Sequence, residues 1–115
     1  LKKIYHLSTC DTCKRIITEL APSSEFTLQD IKSESITLDQ IEEMHALSGS
    51  YEALFSKRAR LYKERDLKNK SLSEKEYKAL ILEHYTFLKR PVIIVENQIF
   101  IGNAKKTVEA AKSAI

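Results

Sequence analysis

The chain has 115 residues, 43% of them hydrophobic and 30% charged, with two glycines, two prolines and two cysteines. That length holds one sizeable core but not two, and two cysteines exclude a disulfide-rich secreted scaffold. The net charge is +3, and because acids stand between the Lys and Arg residues it does not imply an obligate nucleic-acid binder. No run approaches the roughly 18 apolar residues of a membrane span. Lys2-Lys3 is followed by too short an apolar stretch for a signal peptide, so a soluble cytoplasmic protein is expected. The sequence opens on Leu1, and a residue or more is expected ahead of it.

In chain order, residues 2–7 read as a strand, with Ile4, Tyr5 and Leu7 in a β-friendly run. Ser8-Thr9-Cys10-Asp11-Thr12-Cys13 follows as a loop, then a helix over roughly 12–21, closed by Pro22. Residues 25–31 read as a second strand, with Phe26, Leu28 and Asp30 facing away from Thr27, Gln29 and Ile31. This β-α-β start predicts a parallel pair joined by a crossover helix. Thr37 and Gln40 fit a capping box for a helix that Gly49 stops, and Ser73 with Glu76 signals another that reaches His84. Between them, Ser56-Lys57-Arg58-Ala59-Arg60 reads as part of a basic helix and 66–72 as a polar loop. Val92-Ile93-Ile94-Val95 is apolar enough for a strand buried on both faces. A turn at Glu96-Asn97-Gln98 leads to a hairpin partner, Ile99-Phe100-Ile101, and Asn103 caps a last helix. The expected architecture is α/β, a thioredoxin-like β-α-β … β-β-α order with a mixed four-stranded sheet. One domain over 1–115 is expected, with a helical insertion at roughly 37–86.

A C-x-x-C at a strand-to-helix junction in a reducing compartment reads as a redox site. Helix N–H groups and the positive end of the dipole favour a thiolate there, and can pull a thiol of pKa ~8.5 to roughly 3.5–7.5. Cys10 is the expected nucleophile, and Cys13, about one turn into the helix, the expected resolving thiol. Zinc needs four ligands, and no second C-x-x-C or paired histidines exist, so no metal is expected. His6, four residues before Cys10, either tunes the thiolate or faces solvent, whereas His45 and His84 read as structural. Pro91 stands before a strand that looks central, where a proline is unusual. A cis Arg90–Pro91 bond is one explanation, and an ordinary trans proline opening the strand is the other. Arg58 and Arg60 either hold an anion or partner or form a solvated face.

The cysteine loop, the helical insert, Ser56-Lys57-Arg58, Leu88-Lys89-Arg90-Pro91-Val92-Ile93 and Ile101-Gly102 together resemble the arsenate reductase/Spx (ArsC/Spx) family over essentially the whole chain. The resemblance implies a thioredoxin fold with a helical insertion. It makes Cys10 the catalytic cysteine, Arg90 the anion-binding arginine and Pro91 a cis-proline, and sets His6 where glutathione-linked arsenate reductases carry a histidine. Thr9, Thr12 and Arg58 join Pro91 as expected substrate or anion contacts. The arsenate reductases grip their oxyanion with a set of arginines. Here only Arg90 matches, with Asn103 after Gly102 and Ser56-Lys57 in the insert. Lysine does not replace the planar guanidinium fork, so a disulfide or thiol substrate is expected at least as strongly as arsenate. The reading is a thiol–disulfide oxidoreductase of arsenate-reductase-like type. It binds no cofactor and uses glutathione, thioredoxin or glutaredoxin as external reductant. The alternative is an Spx-like redox-sensing transcription regulator whose partner is the RNA polymerase α subunit. No direct nucleic-acid or membrane contact is expected under either reading.

Overall fold

A computed structural model describes residues 1–115. The chain divides into two compact units: one joins Leu1–Glu34 to Arg90–Ile115, and the other is the intervening Ser35–Lys89.

The first unit is a four-stranded sheet with two helices. Its strands are β1 (Lys2–His6), β2 (Thr27–Asp30), β3 (Val92–Val95) and β4 (Gln98–Ile101), in the order β2-β1-β3-β4. β1 runs parallel to β2 and antiparallel to β3, and β3 is antiparallel to β4, so the sheet is mixed. This is the expected thioredoxin-type order. Helix α1 (Asp11–Leu20) is the crossover between β1 and β2, and the C-terminal helix spans Lys105–Ala114. Both helices pack on one face of the sheet. Ile16 and Leu20 of α1 meet Val108 and Ala111 of the C-terminal helix over Ile4, Ile93 and Val95, with Phe26 beside them. The alternate residues Tyr5, Val92 and Ile94 are also buried, so β3 is shielded on both sides as its unbroken apolar run predicts.

Several local expectations change. α1 ends one residue earlier than expected, at Leu20: its cap, Ala21, takes a left-handed conformation (φ 44°) and donates its N–H to the Ile17 carbonyl, and Pro22 lies beyond the cap. In β2 the alternation is displaced: Leu28 is 43% exposed on this edge strand, while Gln29 is buried at 2%. Gln29 is tolerated there because its amide donates to the Glu34 carbonyl at 3.1 Å. The hairpin turn occupies Glu96 and Asn97, with Gln98 already in β4 and Glu96 at φ 56°. The last helix is capped by the backbone of Ala104, not by the Asn103 side chain.

The second unit is helical, with α2 (Leu38–Ser48), α3 (Arg60–Glu64) and α4 (Glu74–Glu83) joined by short 3-10 turns; the C-terminal helix is therefore α5. Both capping boxes form, Thr37 with Gln40 and Ser73 with Glu76. Phe55 centres an aromatic cluster, its ring 5.3 Å from Phe87 and 4.8 Å from Tyr77. The Glu74 carboxylate accepts the N–H groups of Tyr51 (2.8 Å) and Glu52 (2.9 Å), tying the start of α4 to the turn after α2. The 66–72 stretch is not all loop: Leu67–Asn69 makes a 3-10 turn because Leu67 is apolar and buried. His84 closes α4 and its ring accepts the Thr86 N–H, while His45 stacks on Tyr51 with ring centroids 4.0 Å apart. No helix is long and apolar enough to cross a membrane.

Candidate functional site: a cysteine pair at the start of a helix

The β1-to-α1 connection is short, and its backbone is tightly paired. Cys10 donates its N–H to the Leu7 carbonyl at 3.0 Å and its own carbonyl accepts the Lys14 N–H at 3.1 Å. Cys10 is therefore the N-cap residue of α1, with extended dihedrals (φ −96°, ψ 113°). Its sulfur does not form a conventional capping bond, yet the N–H groups of Thr12 and Cys13 face it. Cys10 is half-buried, whereas Cys13 is fully enclosed.

Environment drives the two thiols apart. Partial burial opposes charge on Cys10, but the Cys13 and Thr12 amides, the Cys13 thiol and the Arg90 guanidinium together outweigh it and leave Cys10 more acidic than a free thiol. Cys13 is pushed up to about 11, first by burial and then by the charge and hydrogen bonding of Cys10; the Leu7 N–H and Arg90 offset only part of this. The geometry therefore favours a thiolate at Cys10 beside a protonated thiol at Cys13. A pair of that kind can attack a sulfur electrophile and then close a disulfide on itself.

Arg90 precedes a cis peptide bond to Pro91, and the Pro91 carbonyl accepts the Gly102 N–H at 2.9 Å. The trans alternative is thereby corrected. Arg90 Nε is shielded from solvent, and its charge acts on both cysteine sulfurs. Pro91 is buried at the mouth of β3. Thr9 is exposed in the loop, Thr12 is half-buried in the first turn of α1, and His6 is half-buried at the end of β1. Cys10, Cys13, Thr12 and Arg90 are thus gathered at one end of the sheet.

Arg58 belongs to the helical unit. It lies outside any helix, in the turn before α3, because Ala59 is the N-cap and the Ser56 hydroxyl accepts the Arg58 N–H. It is exposed, as is Arg60, whose Nε lies 3.4 Å from Glu64 one turn on.

Two participants in the loop escape a motif reading. One is the Leu7 backbone, whose N–H faces the Cys13 sulfur. The other is Asp30, whose carboxylate takes the Ser8 hydroxyl at 2.6 Å and the Ser8 N–H at 3.1 Å. A signal for Asp30 does exist. In a parallel β-α-β unit the C-terminal ends of neighbouring strands lie side by side, so a polar residue closing β2 falls beside the loop that leaves β1.

The ArsC family model matches residues 5–111. A curated relative, global transcriptional regulator Spx 2 of Bacillus anthracis, is 28% identical over 102 residues, which are 86% of this chain and 77% of that protein. Among solved structures, a Bacteroides fragilis protein described as related to the ArsC family has a TM-score of 0.78 at 23% identity, covering 96% of this chain and 97% of its own. An arsenate reductase from Vibrio cholerae has a TM-score of 0.74 at 21% identity, covering 99% and 97%. At those identities the structural likeness carries the fold, a thioredoxin-like α/β architecture.

Proposed function

The chain belongs to the ArsC family, and within it we propose a thiol–disulfide oxidoreductase in which Cys10 is the nucleophile and Cys13 resolves. The single observation that carries the reading is the unequal placement of the two thiols: Cys10 opens α1 with the Thr12 and Cys13 amides facing its sulfur, which favours its thiolate, while Cys13 is fully buried, which favours its thiol. Cys10 thiolate attacks one sulfur of a substrate disulfide. A Cys10–substrate disulfide forms, the substrate S–S bond breaks, and the first product leaves as a thiolate that takes a proton from water.

The same step removes the charge on Cys10. Two of the causes that raise Cys13, the neighbouring negative charge and its hydrogen bond, vanish with it, and Cys13 becomes easier to ionise. Cys13 then loses its proton to the departing sulfur as it attacks Cys10, giving a Cys10–Cys13 disulfide and a second thiol product. The substrate gains two electrons and the pair loses two. An external dithiol such as thioredoxin, or two glutathiones, returns them. Arg90 stabilises negative charge on the thiolate and on an anionic substrate group. Thr9, Thr12 and Pro91 line the approach, His6 stands at its edge, and the two units act as one functional domain.

Turnover tests the reading. A small aromatic disulfide and, separately, arsenate are offered with NADPH through a glutathione/glutaredoxin couple and through a thioredoxin couple. Disulfide-dependent NADPH oxidation that Cys10→Ser abolishes is the expected result, with arsenate slower because only Arg90 matches the family's arginine set. Equal rates for wild type and Cys10→Ser in every arm would end the proposal.

The relative named as a transcriptional regulator supports a second reading. Here the Cys10–Cys13 disulfide is a switch, and the chain binds the RNA polymerase α subunit in one redox state. A pull-down against that subunit, with and without oxidant, decides it: no interaction in either state removes this reading.

A further inference from the structure

Asp30 lies outside the cysteine motif and is not among the groups that act on either sulfur, yet its carboxylate holds Ser8, in the loop before Cys10, by both backbone and hydroxyl. It closes β2, opposite His6 of β1 in the parallel register. One carboxylate oxygen accepts the Ser8 N–H at 3.1 Å and the Lys32 N–H at 3.2 Å. The other accepts the Ser8 hydroxyl at 2.6 Å and the Ser33 hydroxyl at 3.2 Å. All four are hydrogen bonds to a charged acceptor, the stronger class.

The consequence runs through Leu7. Upstream, the His6 carbonyl is held by the Ile31 N–H at 2.9 Å, and downstream Ser8 is gripped by Asp30 at both its backbone and its hydroxyl. Leu7, buried between these two anchors, offers its carbonyl to the Cys10 N–H at 3.0 Å, while its N–H faces the Cys13 sulfur. The position of the Leu7 peptide groups therefore decides where Cys10 meets the first turn of α1.

We propose that Asp30 is a positioning residue for the cysteine loop: its carboxylate clamps Ser8 and so holds the Cys10 sulfur over the amides that open α1. The inference rests on the reading of Cys10 as the nucleophile. Its sign separates it from a plain field effect. Removing a negative charge near Cys10 makes the thiol more acidic through space, whereas releasing the clamp lets the sulfur leave the Thr12 and Cys13 amides and makes it less acidic.

The test is the pH midpoint of Cys10 alkylation by iodoacetamide, read on the Cys10 peptide by mass spectrometry. Wild type, Asp30→Ala and Asp30→Asn are compared, with folding checked by circular dichroism. Asp30→Ala is expected to raise the midpoint by about half a unit or more. Asp30→Asn keeps an acceptor oxygen for the Ser8 N–H and is expected to return it to the wild-type value or below. A midpoint in Asp30→Ala that stays or falls overturns the proposal, as does an equal rise in both variants. Should Asp30→Ala fail to fold, Ser8→Ala takes its place, with a rise expected and Ser8→Thr restoring it; no rise in Ser8→Ala overturns the proposal. A wild-type midpoint at the ordinary thiol value would instead count against Cys10 as nucleophile, so the two failures are distinguishable.

Discussion

Cys10 and Cys13 stand one helical turn apart and share one guanidinium, yet their acidities diverge: burial and the neighbouring Cys10 charge raise Cys13, whereas helix-terminal amides outweigh the partial burial of Cys10. Arg90 acts on both sulfurs, so Arg90→Ala is expected to raise the Cys10 midpoint and Arg90→Lys to raise it less, read from alkylation profiles. For Cys13 the folded value of about 11 lies above the ordinary 9.0. Folding therefore favours its neutral thiol, and that contribution is complete below pH 9.0 and lost as pH rises through about 11. Urea midpoints between those pH values are expected to fall in wild type and to fall less in Cys13→Ala. Asp30 has the opposite sign. Ser8 holds its carboxyl at about 2 against an ordinary 3.8, so its contribution is present above 3.8 and fades as pH drops through about 2. The Ser8 clamp thus stays charged throughout the range in which Cys10 works.

At the scale of elements, the helical unit depends on caps that local sequence encodes. Thr37 accepts the Gln40 N–H at 3.1 Å and Ser73 the Glu76 N–H at 3.2 Å. Ser73→Ala is expected to cost about 1 kcal/mol in urea unfolding. Gly49, at φ 77°, donates its N–H to the His45 carbonyl at 2.7 Å to end α2. Gly49→Ala would require the same left-handed backbone with a Cβ attached, and is expected to destabilise by about 1 kcal/mol in the same assay. These elements were legible because each depends on residues within one turn of each other. Leu28 and Gln29 were not, because which side of an edge strand is buried depends on what packs there, and alternation alone carries no such information. Leu67 was hidden for a related reason: two leucines five residues apart in a polar stretch, Leu67 and Leu72, leave no periodic trace. Asn103 lost the cap to Ala104 through a one-residue offset, and Arg58 fell outside α3 because the helix begins only at Arg60.

For the whole molecule, the β-α-β start and the β-β-α finish specified the sheet, since a crossover helix implies a parallel pair and a tight turn an antiparallel one. The cysteine motif named the sulfurs, but not what tunes them. Leu7 and Asp30 act through a backbone amide and a strand end, and neither belongs to the C-x-x-C pattern. Family membership is compatible with both an arsenate-reductase-like enzyme and an Spx-like regulator, and the acidity split between the thiols weighs toward chemistry at Cys10. The most direct test of that claim is the rate of Cys10 alkylation in the wild-type protein as a function of pH. A midpoint below the ordinary thiol value of 9.0, with Cys13 unmodified until higher pH, is the expected result. A midpoint at that value, or equal labelling of the two cysteines at neutral pH, would contradict it.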